Sequence, residues 1–388
     1  MSRHAYDIVI VGGGPIGAAA AIALQGSGLT VLVLEARADA GSTSDARTLA
    51  MSYGSRLILE RLGIWSQIEP VTPIESIHVS QRGGFGRTLL RAAEAGLPEL
   101  GYVVRYARLQ QAFGGSLESE YTTLMAGAEV TGMESIADSV AIEFRTQEGL
   151  QSIAARLLVI ADGGVNTSLR AGATVKVREY GQDAVVGLVE TSQTHGCKAY
   201  ERFTPDGPIA LLPFENCYAL VWTATPDIAD RLMALPAADF LENLQRHFGD
   251  RAGRFISIEA RARFPLSLRY AADPVLPRSV MLGNAAQALH PIAGQGFNLG
   301  LRDAWELGET LLLHAALDPG CDECLSGYQA MRRPDRLRGI ALTHSLVKIF
   351  SNDFTFLRFT RGAALSLLDL VPPAKRAFMQ RMIFGASR

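Results

Sequence analysis

The sequence predicts a mixed α/β fold in which a parallel-sheet domain interleaves with an antiparallel sheet and a helical C-terminal region follows. Three observations predict it. A strand–helix–strand pattern with a glycine-rich turn lies between Ile8 and Glu35, alternating apolar and polar residues run from Ala184 to Thr225, and a second glycine-rich loop, Gly294–Gly296, lies far downstream. Parallel units joined to a block of alternating strands indicate interleaved layers.

The first predicted element is the strand–helix–strand unit. No charged side chain occurs from Ile8 to Leu34, so hydropathy alone would allow a membrane span or a signal peptide. The order of residues argues against both. An apolar run, a glycine cluster, alanine-rich helical material and a second apolar run, Val31–Leu34, indicate two strands and a helix buried on both faces of a sheet.

The later elements follow in order. We expect strands around a glycine turn in 76–100, a helix in 102–126, short strands in 128–160, a helix in 227–249, a strand in 256–270 and mostly helix after Leu299. Three regions result: a nucleotide-binding domain, an inserted antiparallel substrate domain and a helical C-terminus. Their expected bounds are 1–75, 100–180 and 271–330; 76–99 and 181–270; and 331–388.

Composition narrows the class of protein. The chain has 388 residues, of which 48% are hydrophobic and 20% charged, and its net charge of −2 gives no case for nucleic acid. Residues 331–388 differ, with eleven Lys and Arg against three acidic residues. This basic, apolar tail predicts either a dock for membrane lipid or partner enzymes, or helices that pack on the nucleotide-binding domain with a solvated basic face.

The four cysteines, Cys197, Cys217, Cys321 and Cys324, make no disulfide framework. The Cys321–Cys324 pair has no second pair or histidines at metal-ligand spacing, so we expect no metal site. This cysteine usage fits a reducing, cytosolic compartment.

The motif that carries most chemistry is Gly12-x-Gly14-x-x-Gly17, which follows a predicted strand and opens a helix at Pro15. The first glycine permits the tight turn, the second lets backbone approach a pyrophosphate, and the third allows the helix to pack on the strand. Glu35 ends the second strand, where its carboxylate can bind ribose hydroxyls. A Rossmann-like dinucleotide site is therefore predicted.

Two further segments indicate which dinucleotide binds. Asp162 follows a predicted strand, with Ser168 and Arg170 behind it, and Asn284 ends another strand. Asn284 could bond a ribityl hydroxyl, and the N–H groups of Gly294-Gln295-Gly296 could face the pyrimidine edge of a flavin ring and stabilise its negative charge. Together with the first motif, these segments predict FAD held from both ends.

These motifs, in this order, resemble the group A FAD-dependent aromatic monooxygenases, whose fold is that of p-hydroxybenzoate hydroxylase. Residues 45–55 and 283–300 are similar, more narrowly, to the ubiquinone-biosynthesis hydroxylases, and most of all to the 2-polyprenyl-6-methoxyphenol hydroxylases. Most of the superfamily has Gly-Asp in the third motif, often with a histidine after the alanines. Asn284 and Gln287 depart from that pattern and match the methoxyphenol branch.

The resemblance implies roles for particular residues. Arg47 would contact the flavin or its pyrophosphate, although a surface or helix-capping arginine is the alternative. Arg108 or Gln111 would touch the flavin chain, and Asp162 would lie near the cofactor. Pro15 and Asn298 belong to the cofactor-binding segments. His290 is a weak catalytic candidate, since a histidine that satisfies loop carbonyls is equally expected.

The reaction implied by the resemblance is carried by the cofactor. NAD(P)H would reduce the flavin, O2 would add to give a flavin C4a-hydroperoxide, and its distal oxygen would transfer to a polyprenylated methoxyphenol. The protein would supply orientation, a dry site and electrostatics. No catalytic side chain is assigned. Leu211–Phe214 and Val221-Trp222 are candidates for the substrate pocket or for plain core.

Other readings remain open. The chain could be another flavoprotein aromatic hydroxylase, a reductase of the same fold or a non-catalytic FAD-binding assembly subunit; the Trp-x-Trp-x-Ile-Pro element of halogenases is absent. We expect a cytoplasmic protein, peripheral at the inner face of the membrane if the tail binds lipid. A homo-oligomer and a ubiquinone-biosynthesis enzyme complex are further candidate assemblies.

Overall fold

The first unit of the computed structural model, which describes residues 6–38, 47–164, 167, 171–350 and 355–385, is the predicted strand–helix–strand. It consists of β1 (Tyr6–Val11), α1 (Pro15–Ala23) and β2 (Val31–Glu35), and the two strands pair in parallel. Every residue of β2 is buried. Among the described helices, none combines the length and apolarity needed to cross a membrane.

The first sheet grows around this unit. β11 (Gly149–Ile160) pairs in parallel with β1, β18 (Ser279–Met281) with β11, and β8 (Thr122–Ala126) with β2. Antiparallel strands extend it: β9 (Glu129–Ile136), β10 (Ser139–Thr146) and β17 (Val275–Leu276). Because β1, β11 and β18 run in the same direction, the turns that follow them meet at one edge of the sheet.

Both faces of this sheet are covered, as its continuous apolar strands predict. Ile8 and Ile10 of β1 face a core shared with α1, whereas Val9 and Val11 face a core shared with β10. The alternation follows from the two-residue period of a strand.

A small sheet lies beside the first. It contains β3 (Thr48–Ser52), β4 (Thr72–Ile74) and β7 (Gly101–Arg105), with α2 (Tyr53–Arg61) and α3 (Tyr106–Gly115) following two of the strands. The predicted helix over 102–126 was wrong at both ends, because only 106–115 is helical. The apolar run at Tyr102–Val104 pairs with β3 and β4, and Thr122–Ala126 adds to the first sheet beside β2.

The second large sheet is mostly antiparallel. Its strands run in the order β19-β16-β12-β15-β14-β13-β5-β6, and only β13 and β5 pair in parallel. Their bounds are β5 (Ser76–Gln81), β6 (Arg87–Arg91), β12 (Val175–Thr191), β13 (Lys198–Thr204), β14 (Gly207–Phe214), β15 (Cys217–Ala224), β16 (Phe255–Ala271) and β19 (Gln287–Ala288).

Two helices, α4 (Pro226–Ala234) and α5 (Ala237–Phe248), cover one face of this sheet. The predicted single helix over 227–249 is divided because Leu235, which precedes Pro236, adopts extended backbone, the conformation favoured before proline. β19 and the start of β12 also join this sheet, whereas the sequence predicts 100–180 and 271–330 to lie in the nucleotide-binding domain. The domain bounds themselves stay a prediction.

Helices form most of the rest: α6 (Gln295–Leu313), α7 (Asp322–Phe350), α8 (Thr355–Leu370) and α9 (Pro372–Phe384). The basic tail packs on the body of the protein, as one of the two sequence readings expected. Its basic face is only partly solvated, since Arg332, Arg336, Arg361 and Lys375 are buried. Lys375 forms ion pairs with Glu94 and Asp369, both at 2.9 Å.

Candidate functional site

The first glycine turn is built by close approach of backbone. Gly12 has φ +106°, and a Cβ there would lie 2.7 Å from the carbonyl oxygen of Ala161. A Cβ on Gly17 would lie 1.9 Å from the oxygen of Gly12. These contacts leave room only for glycine and bring the N-terminus of α1 directly over the end of β1.

Gly14 differs from both of these glycines, because it faces open space. It is the N-cap of α1 with extended backbone, and no heavy atom of the described residues lies within 4 Å of the position that a Cβ would occupy. The first turn of α1 has no acidic residue, and Pro15 follows at the first helical position. A helix N-terminus without an acidic side chain, beside a backbone turn of glycines, fits a pyrophosphate.

Glu35 lies next to this cradle at the end of β2. Its carboxylate accepts hydrogen bonds from the Gly13 N–H at 2.7 Å and from Arg37 Nε at 2.8 Å. Burial works to raise the pKa of Glu35, but the bonds from Arg37 and Gly13 hold it below its usual value. The ionised carboxylate has further lone pairs, so it can still accept ribose hydroxyls.

The second motif meets the first. Asp162 follows β11, and its Cα would lie 2.7 Å from a Cβ on Gly12. Its carboxylate is exposed and accepts a local hydrogen bond from the Gly164 N–H at 3.0 Å. Ser168 and Arg170 lie outside the described residues, as do Asp45 and Ala46 of the segment before β3.

The third motif also reaches the first. Gly283 follows β18 with φ +56°, and a Cβ there would lie 3.2 Å from the side chain of Ile16 in α1. A Cβ on Gly300 would lie 2.9 Å from the Gly283 Cα, so the start of α6 packs on the same turn. The exposed Asn284 stands next to it. Loops far apart in sequence therefore converge on one helix N-terminus.

The loop Gly294-Gln295-Gly296 forms the N-terminus of α6. Gly294 is the N-cap with φ +60°, and a Cβ there would lie 3.3 Å from the Ala50 Cβ, so the loop touches β3. Within the part of the chain that the structure describes, a Cβ on Gly296 would meet no heavy atom within 4 Å, and the first turn of α6 has no acidic residue. Gln295 Nε2 donates to the Met382 carbonyl in α9 at 3.4 Å.

Asn298 has a different position from the one we expected. Its Oδ1 accepts from the Ser52 N–H at 2.8 Å and from Ser55 Oγ at 2.7 Å, while its Nδ2 donates to the Gly294 and Ala50 carbonyls. An asparagine amide has two donors and two acceptor sites, and all are used. The side chain therefore fixes the loop to β3 and α2 and has no remaining bond for a cofactor.

The arginine and glutamine candidates are more dispersed. The exposed Arg47 guanidinium lies over the rings of Tyr106 and Phe264, at 5.3 and 5.5 Å. Arg108 Nη1 donates to the Pro70 carbonyl, and Gln111 is exposed on α3. The structure brings Arg47 to the junction between the small sheet and β16, where it can reach a ligand.

His290 is buried and neutral. Burial lowers its pKa to about 4. Its Nδ1 accepts the Ile292 N–H at 3.2 Å, which assigns the proton to Nε2, and no hydrogen-bond partner of Nε2 occurs among the described residues. With this pKa, the imidazole is neutral and only weakly basic near neutral pH.

A buried ion-pair network next to the third motif was missed from the sequence. Gln287 Nε2 donates to Asp303 Oδ2 at 2.6 Å, and Arg336 Nε donates to Gln287 Oε1 at 2.8 Å. Arg332 pairs with Asp303 at 2.8 Å and with Asp335 at 3.0 Å. The spacing of Arg332, Asp335 and Arg336 on one helix face was the available signal. The network joins the third motif to the C-terminal helix α7.

An apolar cavity opens beside the Gly294 loop. Its walls come from the small sheet, the second large sheet and the C-terminal helix α9; they include Met51, Ile74, Ile77, Leu90, Gly294, Gln295, Met379, Met382 and Ile383. Of the pocket candidates from the sequence, Leu212 and Phe214 lie in the core on this side of the sheet, whereas Leu211 and Trp222 belong to the core under α4 and α5.

Comparison with known proteins agrees with this arrangement. A family model described as an FAD binding domain matches residues 5–338. The chain is 36% identical to the ubiquinone hydroxylase UbiL of Rhodospirillum rubrum, over 96% of this chain and 88% of that protein. It is 32% identical to the 3-demethoxyubiquinol 3-hydroxylase of Escherichia coli, over 97% and 98%.

A solved structure gives the fold independently. The p-nitrophenol 4-monooxygenase PnpA of Pseudomonas putida superposes with a TM-score of 0.80 over 99% of both chains, at 18% identity. The mixed α/β fold predicted from the sequence is thereby confirmed, and so is FAD as the cofactor of the family. The chain belongs to the FAD-binding domain family and, within it, to the flavoprotein hydroxylases.

Proposed function

We propose that this protein is an FAD-dependent monooxygenase that hydroxylates a polyprenylated methoxyphenol in ubiquinone biosynthesis, with NAD(P)H as electron donor. The observation that carries the proposal is the apolar cavity beside Gly294, enclosed by Ile77, Leu90 and Met382. A prenylated ring would bury its apolar surface there, next to the loop expected to hold the flavin ring. Full-length similarity to ubiquinone hydroxylases supports the pathway.

Different residues of the chain would bind different parts of the cofactor and of the substrate. We propose that Gly12, Gly14, Pro15 and Gly17 bind the pyrophosphate through backbone and the N-terminus of α1. Glu35 would bind ribose hydroxyls. The substituents of the aromatic ring would contact the second large sheet, while the C-terminal helix α9 would exclude water from the cavity.

Other residues would hold the flavin half. Asn284, Gly294, Gln295 and Gly296 would contact it, with Asp162, Arg47, Arg108 and Gln111 at its margins, and Asn298 would position the Gly294 loop. Bound FAD supplies the activation of O2 and the transfer of one oxygen atom to the ring.

The test is a product assay with a short-chain 2-prenyl-6-methoxyphenol. Purified protein is incubated with NADH or NADPH under 18O2, and the product is identified by mass spectrometry. We expect substrate-stimulated NAD(P)H oxidation and a product that carries one 18O atom. A Gly14→Val variant without flavin is the control and should give no product.

The alternatives predict different results. A reductase would oxidise NAD(P)H equally with and without the phenol and give no labelled product. A non-catalytic assembly subunit would oxidise no NAD(P)H. Removal of the gene from its host should cause a prenylated precursor that lacks one ring oxygen to accumulate, and an unchanged quinone pool would contradict the proposal.

We also propose that α8 contacts a lipid surface, in a cytoplasmic protein peripheral to the inner face of the membrane. Phe359, Leu367 and Leu370 follow helical spacing and are exposed by 63%, 62% and 77%. Such a stripe exceeds the isolated apolar residues normal on a surface. Flotation with anionic vesicles should recover the protein, and Leu367→Ser with Leu370→Ser should abolish recovery. A homo-oligomer and an enzyme complex stay predictions.

A further inference from the structure

Glu201 is the one carboxylate in a row of apolar side chains on the inner face of the second large sheet. Strand alternation places it on the same side of β13 as Ala199 and Phe203, whereas Tyr200 points into the core under α4 and α5. Its neighbours in register are Ala210 on β14 and Val79 on β5. The residue is therefore flanked on both sides by apolar groups.

This inner face differs from a packed core. Leu211 and Trp222, on the opposite face, are almost fully buried. The face of Glu201 includes buried residues such as Phe214, but seven of its apolar side chains remain partly accessible: Ile77, Val79, Val186, Leu188, Ala210, Leu212 and Val221. Ile77, which is in register with Ala199, lines the cavity beside Gly294. Glu201 lies one position further along the same face of the sheet, beside Val79.

The environment of Glu201 offers it no compensating charge. The described residues give its carboxylate no ion pair, and burial alone raises its pKa to about 7. The side chain is nevertheless partly accessible. Desolvation disfavours the charged form of a carboxylate and therefore raises its pKa. A carboxylate without a partner destabilises the fold, so its presence favours a functional role.

Charged side chains on this side of the sheet include Arg105, which lies over the Phe214 ring, and Glu259, which is in register with Leu188. Beyond Phe203 the cluster contains Ile292, Val347 and Leu365, and Tyr180 packs against it and contacts both His290 and His344. Burial raises the pKa of Tyr180 and lowers those of His290 and His344. Burial raises the pKa of Glu201 to about 7, so its carboxylate changes charge near neutral pH.

We propose that Glu201 binds the hydroxyl group of the phenol substrate and accepts its proton. This inference rests on the proposed function. In the step, the phenol O–H bond breaks, the proton moves to the Glu201 carboxylate, and the electron pair remains on the phenol oxygen and enriches the ring. After oxygen is inserted, the substituted ring carbon loses its proton to solvent, and Glu201 returns its proton to the ring oxygen.

The test compares Glu201→Gln with Glu201→Asp and with Glu242→Gln, an exposed glutamate on α5 on the outer side of the same sheet. The probe is the short-chain 2-prenyl-6-methoxyphenol. Flavin content and melting temperature report the fold, and we expect all variants to retain flavin. The ultraviolet difference spectrum of the bound probe reports its ionisation. We expect a phenolate band at pH 8 with wild type and Glu242→Gln, and none with Glu201→Gln.

Product formation gives the second readout. General base catalysis contributes about 100-fold or more, so kcat/KM for hydroxylation should fall about 100-fold in Glu201→Gln while NAD(P)H oxidation continues. In wild type, kcat/KM should fall tenfold per pH unit below pH 7, and this limb should disappear in Glu201→Gln. Glu201→Asp should recover part of the rate.

The outcomes separate the two proposals. A Glu201→Gln variant with wild-type spectrum, pH profile and product yield would overturn the role of Glu201. If wild type forms no labelled product, the proposed function fails, but the phenolate band still decides the role of Glu201. A band present in wild type and lost in Glu201→Gln supports that role, and its absence from wild type overturns it.

Discussion

Gly14 and Gly17 belong to one motif, yet the structure predicts opposite consequences for substituting them. Gly14 has φ −67° and ψ 173°, a region open to any residue, and a Cβ there would meet no atom of the described part of the chain within 4 Å. Gly14→Val should therefore change the free energy of unfolding of the flavin-free protein by no more than about 0.5 kcal/mol. The substitution should instead weaken the binding of FAD.

The magnitude follows from the contacts that valine would block. A hydrogen bond between a backbone N–H and a charged phosphate contributes about 1.5–3 kcal/mol. Loss of two of these bonds should weaken binding by about 3 kcal/mol or more, which is at least about 100-fold in Kd. Gly17→Ala is the matched comparison, because its Cβ would lie 1.9 Å from the Gly12 oxygen and force α1 away from β1. We expect it to destabilise the flavin-free protein by about 3 kcal/mol.

The assay uses flavin-free protein. Thermal and urea unfolding followed by circular dichroism give stability, and quenching of flavin fluorescence on titration gives the Kd for FAD. Gly14→Val should melt like wild type and purify colourless, whereas Gly17→Ala should melt early. A Gly14→Val protein that binds FAD within threefold of the wild-type Kd would refute the placement of the pyrophosphate at this glycine.

Three further predictions concern the rest of the site. Asp303→Asn leaves Arg332 buried without a full counter-charge, so it should lower the free energy of unfolding, measured in urea, by about 3 kcal/mol. Asp138→Asn, a change at an exposed position, is the control and should have no effect. Equal stability of the two variants would contradict the importance of the ion-pair network. Asn284→Asp should keep flavin bound, since most of the superfamily that this chain resembles has an aspartate at this position. Complete loss of flavin from the purified variant would mean that the third motif has another role. In the folded protein the pKa of His290 is about 4, below its unfolded value, so its contribution to stability is present above pH 6.5 and is lost as the pH falls toward 4. His290→Asn should reduce the pH dependence of the free energy of unfolding by about 3 kcal/mol over this range. A variant whose unfolding curves keep the pH dependence of wild type would contradict this prediction.

The ion-pair network gives the C-terminal helix α7 a role that the basic composition of the tail did not reveal. Arg332 forms an ion pair with Asp303, and Arg336 donates a hydrogen bond to Gln287. Asp303 also accepts the Gly283 N–H, so both contacts lie next to the turn that contains Gly283. The third motif and the tail should therefore unfold together. The tail therefore packs against the segment that contains the third motif, whether or not its outer surface also meets lipid.

Glu201 illustrates what one sequence conceals. In Lys198–Thr204 it is one polar residue in a strand that alternates irregularly, and it resembles a solvent-facing glutamate. Only pairing with β5 and β14 places it between Val79 and Ala210. Asn298 makes the same point, because its four hydrogen bonds reach β3 and α2, which lie far away in sequence.

The sequence by itself determined the strand–helix–strand unit, the glycine turns, the interleaved α/β architecture and the flavin, since each depends on local backbone requirements or on a motif read along the chain. The tertiary structure decided which helices divide, how Asn298 and Gln287 are used, and where the tail packs. It also decided which strand residues face the cavity. These features depend on sheet register and on contacts between distant segments, where a shift of one residue reverses the face of every side chain.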